Sequence, residues 1–198
     1  MRKSIAMPLI ALVLAAVVLL AGYNFLEPYR QARIQEELNA KMQTILPGSE
    51  TFTEEVYTGE DANIRTVYKG QTGYVVETVT YGYAGNITML IGVSNDGTVT
   101  GLQVRDMQET FGLGGEALQD WEFLAQFLNT TGNVAVATSG ADAFSGATGD
   151  TASGDAETYV DALTGATVTS KAIVRSVNSA VGFVTGADAS SEATSWGG

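Results

Sequence analysis

From Ser4 to Leu26 the chain runs 23 residues without a charged side chain. As an α-helix rising 1.5 Å per residue that stretch is about 35 Å long, enough for a hydrocarbon core of about 30 Å. Pro8 falls in the first turn, where a missing N–H is tolerated. The run exceeds the roughly 7 to 15 apolar residues of a secretory signal, and no small-x-small site cleanly precedes the charged linker. The expectation is an uncleaved anchor over residues 1–26. Arg2 and Lys3 on one side face Arg30 and Arg33 on the other, so the positive-inside count is nearly balanced. The short cationic N-terminus and long acidic remainder fit a single-pass protein of the cell (inner) membrane with its domain extracytoplasmic.

A chain of 198 residues suits such an anchor plus one compact domain. All 22 acidic residues follow position 26, with eight of the ten Lys and Arg, so the rest of the chain carries a net charge of −14. Such a surface repels nucleic acid, and none is expected as a partner. There is no Cys and no His. Thiolate nucleophiles, structural zinc, Cys-held iron–sulfur clusters and imidazole bases are thereby excluded, and no metal ligand or catalytic residue is assigned. Redox work in this chain would need an organic cofactor.

Residues 27–48 read as a linker helix with Ile34, Leu38, Met42 and Ile45 on one stripe, ended by Pro47-Gly48. A domain is expected over residues 49–187, with a disordered tail at 188–198. Runs rich in Val, Thr, Tyr and Ile (TFTEEVYT, NIRTVYK, GYVVETVTYGY, NITMLIGVS and TVTGLQVRDM) predict antiparallel strands, with Asn95-Asp96-Gly97 as a tight turn. Gly115 to Leu128 reads as a helix with an apolar face, and so does the segment from Ser170. The fold class is α+β. Residues 129–157, dominated by Gly, Ala, Ser, Thr and Asp, read as a flexible low-complexity insertion.

The helical pattern from Ser170 puts Thr167 and Thr169 at or near a helix N-terminus. Gly165 and Ala166 would let a phosphate approach backbone N–H groups there, while a capping turn of Thr and Ser with no ligand fits the same residues.

The segment Asp161-Ala162-Leu163-Thr164-Gly165-Ala166-Thr167 resembles the flavinylation motif Asp-x-x-(Ser/Thr)-Gly-Ala-Thr of the FMN-binding domain family. Upstream, Tyr81-Gly82-Tyr83-Ala84-Gly85-Asn86-Ile87 resembles that family's Gly-Tyr-Gly-Gly segment, and Glu109-Thr110-Phe111-Gly112-Leu113-Gly114 its Glu-Thr-Pro-Gly-Leu-Gly. The likeness covers roughly residues 70 to 185. It departs from the family at Phe111, where Pro is usual, and at Met107, where His is frequent. Among members, the architecture resembles the G subunit of the Rnf ion-translocating electron transport complex and, less closely in length, the C subunit of the sodium-pumping NADH:quinone reductase.

The resemblance implies FMN esterified through its phosphate to the Thr167 hydroxyl by an FAD-dependent FMN transferase. Asp161 and Thr164 would present Thr167 to that transferase. Gly165, Thr169 and Lys171 would surround the phosphate, and Thr110, Leu113 and Gly114 would approach the flavin ring. It further implies a relay of electrons between other Rnf subunits; a stand-alone extracytoplasmic reductase and a flavin-free scaffold are the competing classes. Asp142-Ala143-Phe144-Ser145-Gly146-Ala147-Thr148 repeats the motif nineteen residues earlier, without the apolar helix that follows Thr167. Thr167 is therefore the expected attachment site.

Overall fold

The computed structural model describes residues 3–109, 115, 118–137, 158–163 and 165–186. It divides into two units, Met1–Lys41 and Met42–Gly198. Helix α1 runs from Lys3 to Ile45, so the expected anchor and linker segments belong to one continuous helix. It is long and apolar enough to cross a membrane, with a mean hydropathy of 1.7 in its apolar window. The side chains described between Leu12 and Tyr29 include exposed Leu12, Leu19, Tyr23, Phe25 and Tyr29.

The second unit is built on a five-stranded antiparallel meander, β1 (Thr53–Glu55), β2 (Ile64–Lys69), β3 (Gly73–Tyr81), β4 (Asn86–Ser94) and β5 (Val99–Met107), in that spatial order. Its alternation follows the pleat. Val76 pairs with Ile91, Thr78 with Met89 and Thr80 with Ile87, and these six face helix α3 (Thr167–Thr185). Val75 and Leu90 turn to the other face, where Met42, Ile45 and Leu46 are also buried. Gly92 and Gly101 leave room there for the Ile45 carbonyl, which accepts from Thr100 Oγ1 at 2.7 Å.

Two findings differ from the sequence expectation. Helix α2 spans Trp121–Ala125 and starts where the Asp120 carboxylate caps it, accepting from the Glu122 and Phe123 amides at 2.9 and 3.3 Å. The cap aims Phe123 into the core against Phe127, ring centroids 5.5 Å apart and nearly perpendicular. Phe127 is fully buried, a contribution of about 1.5–3 kcal/mol. Within the expected 129–157 insertion, Val134–Ala137 instead forms strand β6, parallel to β7 (Thr158–Asp161). Three of its residues are buried, because Val134, Ala135 and Val136 are small enough to pack under α3. The rest of that insertion from residue 138, and the tail from residue 187, lie outside the described residues.

Candidate functional site at the start of helix α3

Helix α3 lies across the sheet in a direction its contacts fix. Near its C-terminal end the Phe183 ring packs edge-on against Tyr74, at the start of β3, with centroids 5.4 Å apart. Further back, Ser179 Oγ accepts from Asn63 Nδ2 at 3.2 Å. Near its beginning Thr80 Oγ1, at the end of β3, donates to the Ala172 carbonyl at 3.1 Å and lies 2.9 Å from Ser176 Oγ. Arg175 Nη2 donates to the Tyr81 carbonyl at 2.9 Å. The helix therefore runs antiparallel to β3. Its N-terminus emerges at the end of the sheet where β3 turns into β4.

Local hydrogen bonds then shape the approach to Thr167. The Asp161 amide, at the end of β7, donates to Gln126 Oε1 at 2.8 Å. The chain next folds back over the first turn of α3: Ala166 N donates to the Leu163 carbonyl at 2.9 Å, and Leu163 N to Ser170 Oγ at 3.3 Å. Ser170 Oγ in turn donates to the Ala166 carbonyl at 3.0 Å. Gly165 takes a φ of 79°, the left-handed region that a side chain disfavours.

Thr167 is the first residue of α3 and is partly exposed. The N-cap position is held by Ala166, and among the described residues no side-chain bond caps the helix. Ala166 cannot supply the first-turn amides with the side-chain oxygen that Ser, Thr or Asp would. Thr169, two residues further on, is wholly buried, and its hydroxyl has no hydrogen-bond partner among the described residues. A hydroxyl buried that way costs about 1–3 kcal/mol unless a partner arrives. Lys171 is partly exposed and Asp161 exposed. Uncapped amides, an unpartnered hydroxyl and a close backbone turn suit a phosphoester.

The other expected segments meet at the same end of the sheet. The β3–β4 turn closes through Gly82 N to the Gly85 carbonyl at 2.8 Å. Glu109, just past β5, accepts from the Tyr83 amide at 2.7 Å and the Ala84 amide at 3.3 Å. Tyr81 and Tyr83 are exposed beside it. Met107 pairs with Ile87 and packs against the core. Thr110, Phe111, Leu113, Gly114 and Thr164 lie outside the described residues.

The model of the FMN-binding domain family matches residues 82–182. The chain belongs to the FMN-binding domain family. That span begins at the β3–β4 turn and takes in Glu109 and most of α3, the pieces gathered at this end of the sheet. The chain is 32% identical over 182 residues to the G subunit of the ion-translocating oxidoreductase complex of Methanosarcina acetivorans, covering 86% of this chain and 87% of that protein. Over 138 residues it is 32% identical to the G subunit of the Na(+)-translocating ferredoxin:NAD(+) oxidoreductase complex of Acetobacterium woodii, covering 67% and 61%. Its fold resembles the crystal structure of the C subunit of the Na(+)-translocating NADH-quinone reductase from Parabacteroides distasonis, with a TM-score of 0.52 and 20% identity over 83% and 98% of the two chains.

Sequence reasoning missed the residues that hold this FMN-binding fold in register at its working end. Glu109 reaches back to a turn 26 residues away, Arg175 ties α3 to Tyr81, and Gln126 holds Asp161. Asn178 clasps β6, accepting from Val134 N and donating to Val134 O, both at 2.9 Å. Only Glu109 carried a sequence signal, as the first residue of its motif. On the opposite face of the sheet, Glu77 is buried and paired with Arg105 at 2.8 Å and Arg65 at 4.0 Å. Burial, Glu77 and Glu54 together push the neighbouring Tyr68 phenol up from its usual value. That cluster neutralises a buried carboxylate on a face α3 does not touch.

Proposed function

We propose that this chain is the electron-transfer subunit of a membrane-bound, ion-translocating oxidoreductase complex of the Rnf type, carrying FMN as a phosphoester on Thr167. The observation that carries the proposal is the start of α3. Within the family-matched span, a partly exposed threonine opens a helix whose N-cap residue gives no side-chain bond, two residues before the buried Thr169 hydroxyl, which has no partner among the described residues.

Attachment forms one bond, from Thr167 Oγ to the FMN phosphorus of FAD, as the bond to AMP breaks and the threonine proton is lost. The Asp161, Thr164 and Gly165 segment presents Thr167 to the transferase that performs it. The first-turn amides, Thr169 and Lys171 then hold the phosphoester's negative charge, which the helix N-terminus favours by about 0.3–1 kcal/mol when exposed. Ser170 and Gln126 keep that turn in place. Thr110, Leu113 and Gly114 are assigned to the ring side of the site, glycine allowing close approach and Leu113 excluding water from one face. FMN supplies electron exchange at its ring, and the protein sets its distance, potential and solvent access.

Other subunits of the complex are the partners that deliver and remove electrons. Helix α1 anchors the chain in the cell membrane, its length and uncharged run supporting a single span with the flavin domain on the extracytoplasmic side. Tyr23, Phe25 and Tyr29, followed by Arg30 and Arg33, have the composition of a membrane–water boundary.

Co-expression with an FAD-dependent FMN transferase and intact-mass analysis tests the proposal. The expected product is heavier by one FMN less one water, and Thr167→Ala abolishes the increase. An unmodified wild-type protein, or an adduct that survives in Thr167→Ala, overturns the assignment.

A further inference from the structure

We infer that Glu109 is a positioning residue for the flavin site, clamping the β3–β4 turn to the end of β5 beside the start of helix α3; the inference rests on the function proposed above. The β3–β4 turn presents two backbone amides in one direction, those of Tyr83 and Ala84. The Glu109 carboxylate occupies that concavity with both oxygens, at 2.7 and 3.3 Å. Successive amides aimed at one point form an anion receptor. Here its anion is part of the chain.

The contact joins parts that are distant in sequence. Glu109 follows β5, and the turn it holds lies between β3 and β4. The adjoining Gln108 amide donates to the Asn86 carbonyl at 2.9 Å, holding the other end of the same turn. Arg175 of α3 holds the Tyr81 carbonyl, just before the turn begins. The turn is thus gripped by an anion on its amides and a cation on its carbonyl. Through it, the end of β5 is tied to the helix that begins with Thr167.

The fit is close enough to test from the turn's side as well. A Cβ at Gly82 would collide with Glu109 Oε1, and would also lie 2.7 Å from Ile87 Cδ1, the movable end of a side chain. Gly82→Ala should therefore expel the carboxylate. In a Glu109→Ala background most of that conflict is gone, and the second substitution should add little.

The experiment uses the full chain carrying its flavin, with Glu109→Gln, Glu109→Ala, Gly82→Ala and the Glu109→Ala/Gly82→Ala pair. In the unmodified protein, amide exchange at Tyr83 and Ala84 should quicken about tenfold or more in the single variants, the loss of charge-assisted hydrogen bonds. Occupancy at Thr167 should stay at the wild-type level. The visible circular dichroism and midpoint potential of the attached flavin should shift, in the same direction for Glu109→Ala and Gly82→Ala, with the pair no worse than the single variants. Faster exchange with unchanged dichroism and potential overturns the positioning role and leaves Glu109 a turn staple. Unchanged exchange overturns the contact itself. A wild-type protein without the adduct overturns the proposed function and this inference together.

Discussion

The two hairpin turns that end strand β4 are built on opposite principles. The β4–β5 turn closes mainly on its own residues: Ser94 N donates to the Thr98 carbonyl at 2.9 Å, and Gly97 N to the Ser94 carbonyl at the same distance, with one bond from outside, Asn95 N to the Thr72 carbonyl at 3.1 Å. Asp96 accepts from Ser94 Oγ and from the Thr98 amide, and Gly97 supplies a φ of 87°. The β3–β4 turn has one bond of its own across Gly82 and Gly85 and borrows the rest, from Glu109 and Arg175. A turn closed mainly by its own bonds depends little on what surrounds it. A turn held by partners reports their positions, which is the property a site assembled from several segments needs.

That contrast separates function from stability, and substitutions at the two ends should dissociate them. The largest effect belongs to the β3–β4 end: Thr167→Ala should remove all covalent flavin while leaving the unfolding free energy within about 0.5 kcal/mol of wild type, and Thr148→Ala should leave the adduct in place. Intact mass and chemical denaturation read the two quantities. Between the ends, Asn178→Ala strips the clasp from Val134 and should destabilise the domain by about 1–3 kcal/mol, visible in a denaturant titration.

At the β4–β5 end, Gly97→Ala forces a side chain into left-handed backbone and against Thr185 Cγ2. A loss of about 1–2 kcal/mol is expected, with flavin occupancy unchanged. The smallest effect is one of pH. Hydrogen bonds from the Ser94 hydroxyl and the Thr98 amide hold the Asp96 carboxyl below its usual value. A depressed carboxylate contributes stability that is present above the unfolded value and lost as pH falls through the folded one. Asp96→Asn should therefore flatten the acid limb of the stability curve below about pH 4, measured by thermal melts across pH, and leave neutral-pH behaviour nearly unchanged.

The same contrast explains what the sequence revealed. Asn95-Asp96-Gly97 was legible because the bonds that close the turn, between Ser94 and Thr98, span at most four residues, and β2 to β5 were legible because their runs are rich in Val, Ile, Thr and Tyr. Thr167 was placed at a helix start by the apolar spacing that follows it, and α3 does begin there. Strand β6 was hidden, since Val134–Ala137 pairs in parallel with a strand beginning at Thr158 and sits in a stretch that reads as low complexity. The short reach of α2 was hidden too, because the apolar spacing continued on both sides of a cap that only Asp120 specifies. Glu109 and Arg175 were unreadable as clamps for a geometric reason: their partners lie 26 and 94 residues away.

Helix α3, 19 residues long, keeps the ends about 28 Å apart. Because the chain contains no cysteine, Asn95→Cys at the exposed tip of the β4–β5 turn would introduce its sole thiol. A fluorophore or spin label placed there would ride on the rigid body of the domain, far enough from Thr167 to leave its chemistry alone. Its distance to labels on neighbouring subunits would then track the movement of this domain during turnover.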